Sequence, residues 1–229
     1  MKYSVKHLLL ALGALIVIPG VNAEGDPDAG AEKVAVCAAC HGQDGNSPAP
    51  TFPKLAGLGE PYLYKQLKDI QAWDNAQGEA KATTGRAVPQ MTGQLVGLSD
   101  QDLQDMAAFY ADQSLQLSGA EEMMVQIYTG EKVNALELGE RIYRAGNPEN
   151  DVPACSGCHA PAGEGNEPAA FPRLGGQYPE YIEAQLRAFR AGERTNDGEQ
   201  MMMRLSAKNL SDAEIKAVAN YIGGLNAGN

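Results

Sequence analysis

The sequence predicts an all-α protein made of two tandem copies of one small helical domain, and three observations predict it. Four blocks recur in the same order in both halves, and each half places apolar residues at helical spacing behind a capping serine. The stretches between are rich in Gly, Pro, Asn and Asp, with no convincing alternation of apolar and polar residues.

The recurrence is extensive. "CAACHGQDG" from Cys37 is echoed by "CSGCHAPAG" from Cys155, and "FPKLAG" (Phe52 to Gly57) by "FPRLGG" (Phe171 to Gly176). "YLYKQL" (Tyr62 to Leu67) matches "YIEAQL" (Tyr181 to Leu186), and "LSDQDLQDMAAFY" (Leu98 to Tyr110) matches "LSDAEIKAVANYI" (Leu210 to Ile222). A repeat of roughly a hundred residues is too long for a solenoid unit and reads as a duplicated domain. "DQSLQLSGA" (Asp112 to Ala120) is the natural crossing point, which places an N-terminal domain at 24–117 and a C-terminal domain at 118–229.

Each copy has the same helical outline. A first helix is expected around Gly30 to Val36 and around Leu138 to Tyr143, with Gly30 and Gly139 either permitting close crossing against Phe109 and Tyr221 or serving as ordinary helix-start residues. A middle helix follows Pro61 (Leu63, Gln66, Leu67, Ile70) and Pro179 (Ile182, Leu186, Phe189). A terminal helix begins at Ser211 through a capping box with Glu214, and at Ser99 through a weaker one with Asp102. Its buried stripe is Leu103, Met106, Ala107 and Tyr110 in one copy, and Ile215, Val218, Ala219 and Ile222 in the other.

The first residues pair Lys2, Lys6 and His7 with an apolar run from Leu8 to Ile18 and a small-residue end at Val21, Asn22 and Ala23, which reads as a secretory signal peptide over 1–23, cleaved after Ala23. The apolar run is about half of what a membrane-spanning helix needs, and no later segment is apolar enough to span. The signal holds two of the 18 basic residues and none of the 29 acidic ones, so the mature balance is −13. That excludes nucleic acid as a partner and points to a basic or mixed docking surface, unless the charge serves solubility alone.

Each copy is short, loop-rich and poor in aromatics, so a large apolar cofactor would supply the core it lacks. The mature chain has four cysteines and two histidines, all in two C-x-x-C-H motifs: Cys37, Cys40 and His41, then Cys155, Cys158 and His159. C-x-x-C-H is the attachment signature of c-type haem, in which both thiols add to vinyl groups and the adjacent His reaches the iron. Zinc would need the pairs of two separate copies to converge, and a thioredoxin-like pair would need a strand–helix context that is missing. The expected cofactors are therefore two covalently bound haem c groups.

With both histidines used, methionine is the remaining axial ligand. Met106 belongs to a buried stripe, and Met123 and Met124 have no counterpart in the first copy. Met91 and Met203 each stand seven residues before the repeated "LSD", which makes them the chosen pair, with Met201 and Met202 left as alternatives to Met203. Pro53 and Pro172 follow the motifs at matching positions, either as plain turns or to offer a carbonyl to the imidazole; Trp73, Arg86 and Arg194 are candidates to meet haem propionates.

"CAACHG", "FPKLAG", "YLYKQL" and "LSDQDLQDMAAFYA", followed by "ACSGCHAP", "FPRLGGQ", "RTNDG" and "MRLSAKNLS", resemble the dihaem cytochromes c4 over essentially the whole mature chain. The resemblance implies two class I cytochrome c domains related by a pseudo-twofold axis, with haems facing each other across the interface. It implies ligation by His41 with Met91 and by His159 with Met203. It also implies periplasmic electron carriage, often with loose membrane association, from a quinol-oxidising complex toward a terminal oxidase. A departure is the longer stretch between Gly139 and Cys155, which bears on partner choice more than on ligation.

Irons closed by His and Met leave no open position for a substrate, so the expected role is one-electron transfer and not catalysis. An electron-accepting subunit of a periplasmic dehydrogenase complex is the rival reading. A dihaem peroxidase would need an open or His-exchangeable iron, and the chain has no spare histidine.

Overall fold

The structure, a computed structural model, describes residues 24–226, so the predicted signal peptide and its cleavage after Ala23 lie outside the described residues. The first domain opens with α1 (Pro27–Lys33) and a single helical turn α2 (Ala38–His41), followed by α3 (Glu60–Asn75) and α4 (Asp100–Ala111). Short 3₁₀ turns at Gly78–Ala82 and Pro89–Met91 lie between α3 and α4. Helix α1 starts and ends three residues earlier than the sequence reading placed it. Asp26 accepts from the backbone N–H groups of Asp28 and Ala29, and Pro27 supplies a preset first φ.

The second domain repeats this order with α5 (Ala135–Ala145), α6 (Ser156–His159), α7 (Pro179–Ala191) and α9 (Asp212–Gly224), adding α8 (Met202–Ala207) before the terminal helix. It also contains a two-stranded antiparallel hairpin, β1 (Met124–Gln126) and β2 (Lys132–Asn134), with Val125 opposite Val133. Only Val125 is buried in β1, and strands of three residues are too short to show alternation. Met124 is exposed at the hairpin, while Met123 packs on the core.

Both capping boxes are present: Ser99 with Asp102 and Ser211 with Glu214, each serine oxygen accepting from the N3 N–H while the N3 carboxylate accepts from the serine N–H. The predicted stripes of α4 and α9 are buried throughout. Helix α1 crosses α4, and α5 crosses α9, at glycine. A Cβ on Gly30 would lie 2.1 Å from the Asp105 carbonyl oxygen, and one on Gly139 2.2 Å from that of Ala217, with Phe109 and Tyr221 beside them. Close crossing, not helix initiation, is what these glycines serve.

Residues 112–123 cross from one domain to the other without helix. The segment is held at both ends: Gln116 N–H donates to Asn46 Oδ1 (2.7 Å), Ser118 N–H to Gly176 O (3.0 Å) and Gly119 N–H to Gly223 O (2.9 Å). The domains then meet face to face. Gln177 pairs with the backbone of Lys54 as a strand would, accepting from its N–H (2.9 Å) and donating to its C=O (2.8 Å), in a fully buried setting.

Candidate functional site

Each C-x-x-C-H motif folds as one helical turn because its backbone closes on itself. His41 N–H donates to Cys37 O (3.0 Å) and His159 N–H to Cys155 O (2.9 Å). The turn sets the two sulfurs and the imidazole on adjacent positions of a common rim. Both imidazoles are buried, and both are oriented from behind: His41 Nδ1 lies 2.9 Å from Pro53 O and His159 Nδ1 2.9 Å from Pro172 O.

A carbonyl only accepts, so in each ring Nδ1 carries the proton and Nε2 keeps its lone pair. Burial lowers the pKa of both histidines, and the carbonyl bonds oppose this only partly, so the rings are neutral, as a metal ligand must be. The plain-turn reading of the two prolines therefore gives way to the orienting one. Their neighbours Phe52 and Phe171 set their rings 6.1 and 6.2 Å from the imidazoles, a contact the repeated "FP" signals but the sequence reading left unassigned.

In the first domain a cavity of about 880 Å³ brings together Cys37, Cys40, His41 and Met91. Met91 ends a 3₁₀ turn and leans on the cluster of Ile70, Leu95 and Leu103. Met106 also reaches the cavity wall but is packed among Val34, Leu63 and Tyr110 as core. In the second domain Met203 packs half-buried against the core cluster that also receives Cys155. Met201 and Met202 turn outward, 40% and 49% exposed. Burial pushes the Cys155 thiol up to about 11 and raises that of Cys37, so neither is poised as a free thiolate.

The far wall of the cavity is made by the other domain. Arg86 donates to Gln66 Oε1 (2.9 Å), Gln185 Oε1 (3.0 Å) and Tyr181 OH (3.2 Å). Arg194 donates to the same two glutamine oxygens (3.0 and 2.7 Å) and to Tyr62 OH (3.3 Å). Gln66 and Gln185, like Tyr62 and Tyr181, are repeat equivalents, so each arginine grips the tyrosine of the opposite domain. Burial works to raise the Tyr181 phenol pKa, but the two guanidiniums outweigh it and hold it below its usual value. Trp73 also lines the cavity, with Lys81 Nζ 4.0 Å from its ring centroid.

These residues fit a haem. An apolar cavity is edged by two thiols and a neutral imidazole, and its wall carries two guanidiniums that no described carboxylate hydrogen-bonds. Propionate groups would meet those guanidiniums directly. Among the described residues no three His, Cys, Asp or Glu side chains converge on a common point, and the two Cys pairs stay in separate domains.

The comparisons agree with this chemistry. The family model described as Cytochrome c matches residues 28–113 and again 136–226. Cytochrome c4 of Azotobacter vinelandii is 48% identical over 226 residues, covering 98% of this chain and 100% of that protein. The crystal structure of reduced recombinant cytochrome c4 from Pseudomonas stutzeri superposes with a TM-score of 0.79 at 50% identity, covering 88% of this chain and 99% of that one. At lower identity, 36% over 81% of this chain and 76% of the relative, stands a thiosulfate dehydrogenase electron acceptor of Stutzerimonas stutzeri. The chain belongs to the cytochrome c4 family: it is an electron-transfer protein of two tandem cytochrome c domains, carrying two covalent haem c groups.

Proposed function

We propose that Cys37 and Cys40 hold one haem and Cys155 and Cys158 the other, that His41 with Met91 and His159 with Met203 are the axial ligands, and that the domains divide at 24–117 and 118–229. The observation that carries this reading is the pair of 2.9 Å bonds from Nδ1 to Pro53 and Pro172, which leave each Nε2 unprotonated beside its cysteines. When bound, each haem supplies a one-electron Fe(II)/Fe(III) couple. The chain's own residues orient the imidazoles, exclude water with Phe52, Phe171 and the apolar wall, and balance anionic charge with Arg86 and Arg194.

The protein then works as a periplasmic one-electron carrier, receiving electrons from a quinol-oxidising complex and passing them toward a terminal oxidase. Loose peripheral association with the membrane is compatible with this role; no helix among the described residues is long and apolar enough to cross one. The mature balance of −13 supports docking to a basic face, with association slowing as salt rises.

Mass analysis of the processed protein with an absorption and redox titration tests the ligation. Two covalent adducts, low-spin spectra and a thioether-to-iron band that vanishes on reduction are expected. Met91→Leu and Met203→Leu should each lower the potential of one haem only, by at least about 0.1 V of the range axial ligands command. A band that survives in the Met203→Leu protein would hand that role to Met201 or Met202.

The second reading, an electron-accepting subunit of a periplasmic dehydrogenase, draws on the thiosulfate dehydrogenase electron acceptor among its relatives. Copurification with a dehydrogenase subunit at fixed stoichiometry would establish it over the free carrier.

A further inference from the structure

The two histidine turns look alike but are not held alike. The residue after His41 is Gly42, at φ 78 and ψ 157; the residue after His159 is Ala160, at φ 66 and ψ 159. That region of backbone space belongs to glycine, so the first turn is relaxed and the second is strained. A Cβ at Gly42 would sit 2.5 Å from Asn46 O, whereas the second turn carries its methyl.

The strained residue has a partner that the relaxed one lacks. Tyr143, fully buried, donates its hydroxyl to Ala160 O at 2.7 Å, with His159 O at 3.5 Å. Gly163 N–H donates to the same Ala160 oxygen (3.1 Å), and Gly165 N–H to His159 O (2.9 Å). The repeat offset that pairs Gly30 with Gly139 sets Tyr143 opposite Val34, and the offset that pairs Ser99 with Ser211 sets Ile222 opposite Tyr110. A tyrosine and an aliphatic residue have thus exchanged places between the facing helices. Tyr110 fills the same kind of space in the first domain, 3% exposed, but its hydroxyl has no hydrogen-bond partner.

We propose that Tyr143 and Ala160 form a positioning latch for His159: the hydroxyl holds a strained peptide immediately after the imidazole and stiffens the second site relative to the first. This rests on the reading of His159 as an axial ligand. Tyr143 is a positioning residue, acting through the Ala160 carbonyl and not on the iron. The strain and the hydrogen bond are complementary, since the bond matters most where the backbone would otherwise relax.

The test uses the holoprotein with Tyr143→Phe, Ala160→Gly, their combination, and Tyr110→Phe as the first-domain counterpart. Amide exchange at Gly163 and Gly165 should quicken about tenfold in Tyr143→Phe, the loss of one buried hydrogen bond. Added to Ala160→Gly, the same change should quicken exchange less than about threefold, because the strain it restrains is gone. Tyr110→Phe should leave exchange at Gly45 unchanged, and in Tyr143→Phe only the second haem's midpoint potential should move. Unaltered exchange in Tyr143→Phe, equal losses with and without Ala160, or equal shifts of both potentials would each overturn the latch. Exchange reads the turn without reference to iron, so failure of the latch is distinguishable from failure of the ligation, which shows as absence of the thioether-to-iron band in the unmodified protein.

Discussion

Where α1 crosses α4 in the first domain, Lys33 Nζ sits 2.8 Å from Asp102 and 2.5 Å from Asp105, and Asp105 also accepts from Asp26 N–H and Gln101. Where α5 crosses α9 in the second, the positions equivalent to Lys33 and Asp105 are Ile142 and Ala217, both fully buried and joined to one continuous apolar cluster. The first domain's core, by contrast, is divided into two clusters. The same crossing is therefore built once around a satisfied ion cluster and once around hydrocarbon. What both keep is the glycine, because backbone separation is set by sterics, while the filling can be polar or apolar provided no polar group is left without a partner.

The largest test of that comparison is Gly30→Ala against Gly139→Ala. Each new methyl would meet a carbonyl oxygen at 2.1 or 2.2 Å, so each helix pair must part, at about 3 kcal/mol or more by chemical denaturation. A cost under about 1 kcal/mol in either domain would show that the two crossings are not equivalent.

Next is Asp105→Asn, which should cost about 1–2 kcal/mol through weakened hydrogen bonds and leave the second domain unaffected. Burial works to raise the Asp105 pKa, but the bonds from Lys33, Asp26 and Gln101 outweigh it and leave it lowered. A carboxyl lowered on folding stabilises above its unfolded value, about 3.9, and loses that contribution as pH falls through the folded value. The first domain should therefore open before the second below about pH 4, read by domain-resolved hydrogen exchange, and Asp105→Asn should narrow the gap. Loss of both domains together in acid would remove the distinction.

The smallest expected effect is at the second domain's hairpin, which has no counterpart among the described residues of the first. Tyr128 at its tip is 97% exposed, so Tyr128→Ala should change the unfolding free energy by less than about 0.5 kcal/mol. A larger loss would mean that the hairpin braces the second domain's core.

Much of this was legible in the chain. Ser99, Ser211 and the apolar stripes behind them carry local signals, and the repeat alone pointed to Gly30, Gly139, Pro53 and Pro172 as paired devices. The hairpin escaped because three-residue strands have no measurable period. Arg86 and Arg194 are candidates in the sequence, but their grip on Gln66 and Gln185 joins residues more than a hundred positions apart in places, and no local pattern encodes it. The exchange of Val34 and Tyr110 for Tyr143 and Ile222 follows from the repeat offsets, but that one hydroxyl is bonded and the other not is decided by tertiary packing.

The reciprocal grip of each arginine on the opposite tyrosine has a consequence for ancestry and for assembly. Contacts that read identically from either side are the mark of an isologous dimer, and here both partners lie on a single polypeptide. Fusing the halves through residues 112–123 replaces a concentration-dependent encounter with a permanent local one, so the pair stays matched however dilute the protein becomes. Within that permanent pair the halves need not be identical: one carries glycine after its histidine and the other alanine.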